Sequence, residues 1–233
     1  MASAKVKYLG HAGFQITSDQ GKVIFIDPWL TDCPVAPFAV DEIKKGDLVL
    51  VTHDHFDHVA DGIAITKATG ATLVGMPETM GRMKADGEIP DAQIVMGMGM
   101  NVGGTVNLDG IAITMTQAFH SSATANPCGY IVKLENGYTI YHAGDTGIFG
   151  SMKTLGELYN IDLALLPIGN VFTMDPAQAA HAAKLLGAAK VIPMHYKTFP
   201  ILEQDTGNFE TIMKTELPSV EVVVVEPGGE VEV

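Results

Sequence analysis

Asp47-Leu-Val-Leu-Val-Thr-His53-Asp-His55-Phe-Asp57-His58 is the stretch on which the reading of this chain turns. An apolar run of strand length, Leu48–Val51, leads straight into three histidines and two aspartates within six positions. Neutral imidazole and carboxylate are the ordinary ligands of Zn²⁺ and similar transition metals. As a plain polar loop the segment would crowd groups that repel or compete, and a bound cation organises them.

Three further candidate ligands stand in the same local setting. His120 follows the run Ile111–Phe119, Asp145 follows Tyr138–Ala143 and a glycine, and His195 follows Lys190–Met194. Each lies at the C-terminal end of a predicted strand, as His53 does. In layered α/β folds sites gather outside the carboxyl ends of strands, so strand ends that present ligands the same way form one cluster. Taken singly each residue would read as structural; the repetition carries the inference.

Working outward, short β-branched runs recur at Val23–Ile26, Leu48–Val51, Ile111–Met115, Tyr138–Tyr141, Leu163–Leu166, Val191–Ile192 and Val222–Val225, bounded by Gly, Pro, Asp or Asn. Ile131–Leu134 and Tyr138–Tyr141 flank Glu135-Asn136-Gly137 and read as a hairpin with a tight Asn-Gly turn. Helices are predicted over Asp57–Thr69, Pro77–Ala85, Asn208–Leu217 and the alanine-rich segment after Asp175-Pro176, with Asp175 as N-cap and Gly187 as stop. The glycine-rich stretch Gly97–Gly104 reads as a turn between strands, its methionines as core filler, and the end, Val220–Val233, as strand. No linker divides the chain, so residues 1–233 read as one α/β (α+β) domain.

The pattern His-x-His-x-Asp-His, then a lone His, an Asp within Gly-Asp and a last His, resembles the ligand set of the metallo-β-lactamase superfamily. The resemblance is closer still to its uncharacterised metal-dependent hydrolases related to L-ascorbate-6-phosphate lactonase. Tyr8-Leu-Gly-His-Ala-Gly-Phe14, Ile26-Asp-Pro-Trp29, His120-Ser-Ser122, Tyr141-His-Ala-Gly-Asp-Thr146, Leu166-Pro-Ile-Gly169, Phe172-Thr-Met-Asp-Pro176 and Pro193-Met-His-Tyr196 carry it. It implies a four-layer αββα sandwich with a binuclear metal site at one edge. His53, His55 and His120 would hold one ion, Asp57, His58 and His195 the other, and Asp145 would bridge them. Zinc is the expected metal, and such ligands also admit manganese, iron or nickel. A hydroxide shared by the two metals would attack a small-molecule ester, lactone or phosphoester, oriented by Asp57 as the catalytic residue. His11 and Asp27 are read as hydrogen-bond partners that fix ligand imidazoles, Tyr196 and Lys197 as substrate-binding. His142 and His181 read as a structural and a surface residue.

Composition bounds the alternatives. No apolar run approaches the ~18 residues of a membrane span, and Met1–Gly10 shows no signal-peptide pattern. Two cysteines, Cys33 and Cys128, form no disulfide framework. A cytoplasmic location is therefore expected; the oligomeric state stays open, a homo-oligomer included. The alternatives on the same fold are a phosphodiesterase or nuclease and a non-catalytic metal-binding protein. The intact ligand set argues against the last. The net charge is −13 and the densest basic stretch is Lys44-Lys45, which disfavours a phosphate backbone as partner. A fluorescence-anisotropy titration with generic duplex RNA or DNA at physiological salt should show no tight binding; salt-sensitive submicromolar affinity would revive the nuclease reading.

Overall fold

The computed structural model describes residues 4–233. The chain divides into two compact units, each built on one mixed sheet. The first contains β1 (Ala4–Gly10), β2 (Gly13–Ser18), β3 (Val23–Ile26), β4 (Leu48–Leu50), α1 (Phe56–Val59), α2 (Gly62–Thr69), β5 (Thr72–Val74) and α3 (Pro77–Gly87). β1, β2 and β3 pair antiparallel, whereas β3, β4 and β5 run parallel. β3 and β4 are buried along their whole length, which is why both read as unbroken apolar runs rather than as alternation. Leu9, Phe25, Val49, Val51, Ile65, Leu73, Met80 and Met83 form the core of this unit.

The single helix expected over Asp57–Thr69 is two helices, α1 and α2, separated at Ala60-Asp61. Asp61 turns back to accept from Leu30 N (2.6 Å), Thr31 N (2.8 Å) and Thr31 Oγ1 (2.6 Å). Three hydrogen bonds to one carboxylate outweigh the continuous turn of helix that the break gives up. Of the glycine-rich stretch, Met100 is buried but Met96 and Met98 are exposed, so the reading of these methionines as core filler holds for only one of the three.

The second unit contains β6 (Thr105–Leu108), β7 (Ile111–Gln117), β8 (Cys128–Lys133), β9 (Thr139–His142), α4 (Met152–Tyr159), β10 (Leu163–Pro167), α5 (Pro176–Leu186), β11 (Lys190–Met194), α6 (Gly207–Glu216) and β12 (Glu221–Val222). Its sheet has the order β12-β11-β10-β9-β8-β7-β6. The pairs from β9 to β12 are parallel and those from β6 to β9 antiparallel, so β7, β9, β10 and β11 all end on one edge. The β8–β9 hairpin forms as expected: Gly137 N donates to Leu134 O (2.9 Å), Leu134 N donates to Tyr138 O (2.9 Å), and Gly137 takes a positive φ of 90°. Glu135-Asn136-Gly137 is thus a three-residue connection whose glycine supplies the left-handed position. Asp175 Oδ1 accepts from Gln178 N at 2.7 Å and Gly187 closes α5 at φ 62°, as read from the sequence.

The chain then returns to the first unit. β13 (Glu230–Glu232) pairs antiparallel with β1, with Lys5 opposite Glu232 and Lys7 opposite Glu230. The continuous strand expected over Val220–Val233 is thus two short strands in different sheets, and Val223–Val225 belongs to neither. Among the described residues no helix is long and apolar enough to cross a membrane. Two mixed sheets with helices make a mixed α/β fold.

Within the second unit α4 meets the end of α5 at Gly156, where an added Cβ would lie 2.3 Å from Leu186 O. Replacing a helical Gly by Ala ordinarily stabilises by about 1 kcal/mol. Here the clash is with backbone, which cannot swing aside, and overpacking costs about 1–3 kcal/mol. Gly156→Ala should therefore lower the urea midpoint; an unchanged or raised midpoint would show that α4 is free to shift.

Candidate metal centre

The first unit brings His11, Asp27, His53, His55, Asp57 and His58 to the ends of its strands. Asp27 directly follows β3, and its backbone N–H donates to Leu50 O (3.0 Å), which locks the end of β3 to β4. Its buried carboxylate accepts from Thr52 N (2.8 Å), Thr52 Oγ1 (2.5 Å) and His58 Nδ1 (2.8 Å). A carboxylate can only accept, so His58 carries its proton on Nδ1 and presents the Nε2 lone pair. Thr52 spends its one hydroxyl proton on Asp27, so at 3.0 Å from His53 Nδ1 it can only accept. His53 is thereby the Nδ1–H tautomer, and its Nε2 lone pair faces His55 Nδ1 at 3.0 Å. One aspartate thus sets the tautomer of two histidines, one directly and one through a threonine hydroxyl.

His53 packs its ring 4.1 Å from that of His58 and 4.5 Å from that of His55, centroid to centroid. His11 Nε2 meets Asp57 Oδ2 at 3.0 Å, and its ring stands edge-on to that of His58 with centroids 5.5 Å apart. Tyr8 Oη donates to His11 O (2.8 Å), and the His11 backbone is left-handed with φ 54°. Donor atoms of His11, Asp57 and His58 lie within 4.8 Å of one another, and so do those of Asp27, His53 and His58. Imidazoles that present lone pairs beside a carboxylate are the donor chemistry of zinc and its neighbours, and these residues fit such an ion.

The second unit places its three ligand candidates at the shared edge of β7, β9 and β11. Asp145 Oδ2 lies 3.0 Å from His195 Nε2 and 3.6 Å from His120 Nε2, so one carboxylate oxygen faces two imidazoles. His195 sits at φ 59° and Lys197 at φ 65°, both left-handed. Gly169, at the end of β10, permits this turn: a Cβ there would lie 2.0 Å from His195 O and 2.9 Å from His195 Nδ1. Tyr196 is buried and Lys197 exposed. Buried His142 accepts from Gly144 N (3.1 Å), and His181 is exposed on α5.

Sequence reasoning missed Thr52, Gly169 and Asp54. Asp54 points away from the histidines on either side. It accepts from Ser122 Oγ (2.6 Å), Ala123 N (2.6 Å), Thr124 Oγ1 (2.6 Å), Thr124 N (3.4 Å) and Arg82 Nη1 (2.8 Å). It so fixes the segment directly after His120, and Ser121 Oγ comes to 3.4 Å from His55 Nε2. No local signal marks Asp54, because its partners stand 28 to 70 residues away.

The profile of the beta-lactamase superfamily domain matches residues 22–196. A UPF0173 metal-dependent hydrolase of Nitratidesulfovibrio vulgaris strain DP4 is 50% identical over 224 residues, covering 96% of this chain and 93% of the relative. One from Pyrobaculum islandicum is 45% identical over 227 residues, with 96% and 97% covered. Among solved structures, Igni18, a metallo hydrolase of Ignicoccus hospitalis, superposes with TM-score 0.88 at 39% identity over 98% of this chain and 97% of its own. The chain belongs to the beta-lactamase superfamily, and within it to the UPF0173 metal-dependent hydrolases. It is accordingly a metal-dependent hydrolase.

Burial alone would raise the Asp54 carboxyl, but the hydrogen bonds from Ser122, Thr124, Ala123 and Arg82 outweigh it and hold the group well below the usual carboxylate range. A depressed folded-state pKa contributes stability that is complete above the unfolded value of about 3.9 and is lost as pH falls through the folded value. Asp54→Asn turns an acceptor into a donor that faces donors, and should cost about 2–3 kcal/mol at pH 7. In urea denaturation, the gap between wild type and variant should stay constant from pH 7 to about 4 and shrink below that. A gap that widens in acid would refute this account of Asp54.

Proposed function

We propose that the protein hydrolyses a small-molecule ester, lactone or phosphoester, with two divalent metal ions, zinc foremost, held by seven side chains. In this reading His53, His55 and His120 serve one ion, Asp57, His58 and His195 the other, and Asp145 both. The observation that carries it is the hydrogen bonding of Asp27 to His58 Nδ1 and, through Thr52 Oγ1, to His53 Nδ1, which leaves both Nε2 atoms to serve as ligand nitrogens. Asp145, with one oxygen facing His120 and His195, has the form of a shared ligand. When bound, two such ions supply Lewis acidity, acidifying a water and polarising the oxygen of the scissile bond. Asp57, braced through Oδ2 by His11, orients the attacking water. Exposed Lys197, two residues after His195, offers an ammonium to an anionic group of the substrate, with Tyr196 beside it as a second substrate contact.

The span of the family match, residues 22–196, runs through both units and supports the chain as one catalytic domain. The charge of −13 favours a small substrate over nucleic acid. Two buried free cysteines accord with a reducing cytoplasm.

Elemental analysis of protein purified without chelator should find close to two equivalents of transition metal. Asp57→Asn keeps the size but removes the charge. It should weaken one of the two metals and reduce kcat by about 2–4 kcal/mol in the transition state, with little change in the thermal melt. The substrate for that measurement comes from a screen of lactones, esters and phosphoesters. A folded, metal-saturated protein with no more than one equivalent would sink the binuclear reading, and full turnover in the variant would remove Asp57 from the mechanism.

A further inference from the structure

Among the large apolar side chains of the second unit that stand in solvent, Leu158 lies on α4 and Val224 follows β12; the others are Phe119 (61% exposed), Val171 (56%), Phe172 (52%) and Ile201 (60%). Singly, exposed apolar residues need no explanation. Phe119 and Ile201 lie on loops that carry metal-ligand candidates of that unit, and Val171 and Phe172 on a neighbouring loop tied to them. Phe119 precedes His120, and its backbone grips the residues after Asp145: Phe119 N donates to Thr146 Oγ1 (2.9 Å), and Gly147 N donates to Phe119 O (3.1 Å). The loop of Val171 and Phe172 starts at Gly169, against the His195 backbone, and ends at Met174, whose N–H donates to Thr146 O (3.1 Å). The loop of Ile201 is tied to the same place, Glu203 N donating to Gly169 O (3.1 Å).

A second observation concerns the backbone. Asn170 and Val171 are both left-handed, at φ 63° and 51°. Asparagine tolerates this region, whereas a β-branched residue there is a genuine outlier. Strain at that position is retained while Val171 and Phe172 stay more than half exposed, so burial of these two side chains offsets little of it. Strained, exposed segments beside a site are where ligand contacts are made. Phe119 is also held in place, its ring 5.4 Å from that of Phe149.

We infer that Phe119, Val171 and Phe172, with Ile201 beside them, form an apolar recognition rim, and that the substrate carries an uncharged apolar acyl or aryl group next to its scissile bond. The inference rests on the metal-hydrolase reading above and narrows its substrate class. It disfavours small, wholly polar substrates.

The test uses alkyl hydroxamates, whose head group binds metal whatever the natural leaving group. Calorimetric Kd values are measured on the zinc-loaded full chain for acetohydroxamate and octanohydroxamate, six methylenes apart. A fully buried methylene is worth roughly fourfold in Kd, so even partial burial should make the longer ligand bind more than tenfold tighter. Phe119→Ser and Phe172→Ser together should bring the two values within about threefold, with a thermal melt showing that the variant is folded. Acetohydroxamate binding with no chain-length preference in wild type overturns the rim and leaves the metal reading standing. Failure of both hydroxamates to bind overturns the rim and the metal reading together. A preference that survives in the double variant, together with a changed sedimentation coefficient, assigns the patch to contact between copies and also overturns the proposal.

Discussion

A carboxylate buried at the end of a strand must be surrounded by donors, and at Asp27 this requirement organises the first unit. Leaving such a charge unpaired would cost several kcal/mol. Three donors answer it: Thr52 N, Thr52 Oγ1 and His58 Nδ1. The parallel register of β3 and β4 sets Ile26 opposite Leu50, and this places Asp27 beside Thr52. The demand of one buried charge thereby joins β3, β4 and α1, and the same bonds decide which nitrogen of each histidine holds a proton. Sheet closure and ligand preparation are one interaction here, so a change that loosens the sheet edge also misorients the imidazoles.

Left-handed backbone also occurs at strand ends in each unit. His11, Asp27 and His195 are all left-handed, and none is a glycine. Such residues cost on the order of 1–3 kcal/mol each and persist only where the surroundings overdetermine them. His195 shows how: Gly169 lets two chains approach more closely than any side chain allows, and the turn is held from β10. Asp54 plays the corresponding part in the first unit, by holding the segment after His120 through five donors.

What could be read in the sequence follows from how local each signal is. β3, β4 and β10 were legible because strands buried on both faces are apolar throughout, and α5 because its cap, alanines and terminal glycine all lie within a dozen residues. The ligand candidates were legible as strand-then-ligand repeats. Asp61 broke a helix because its partners, Leu30 and Thr31, are some thirty residues away. β12 and β13 are two and three residues long, too short for periodicity to mark, and a valine-rich tail read as one strand serves two sheets. Thr52 is legible only once Asp27 is known to stand beside it. The division into two units was invisible because both are discontinuous in sequence.

That discontinuity bears on the order of synthesis. The first unit takes in the chain up to Gly104, the insert Ser121–Pro127 and the stretch Val225–Val233, with all but that insert of the intervening chain belonging to the second. A ribosome adding roughly 5–20 residues per second needs on the order of ten seconds to pass from Gly104 to Val225. During that interval β1 has no β13 beside it, and its outer edge is an unpaired row of amides. The second unit, made of nearly contiguous chain, is complete before the first can be. The charged residues Lys5 and Lys7, which later face Glu232 and Glu230, are meanwhile the edge's protection against pairing with a neighbouring nascent chain.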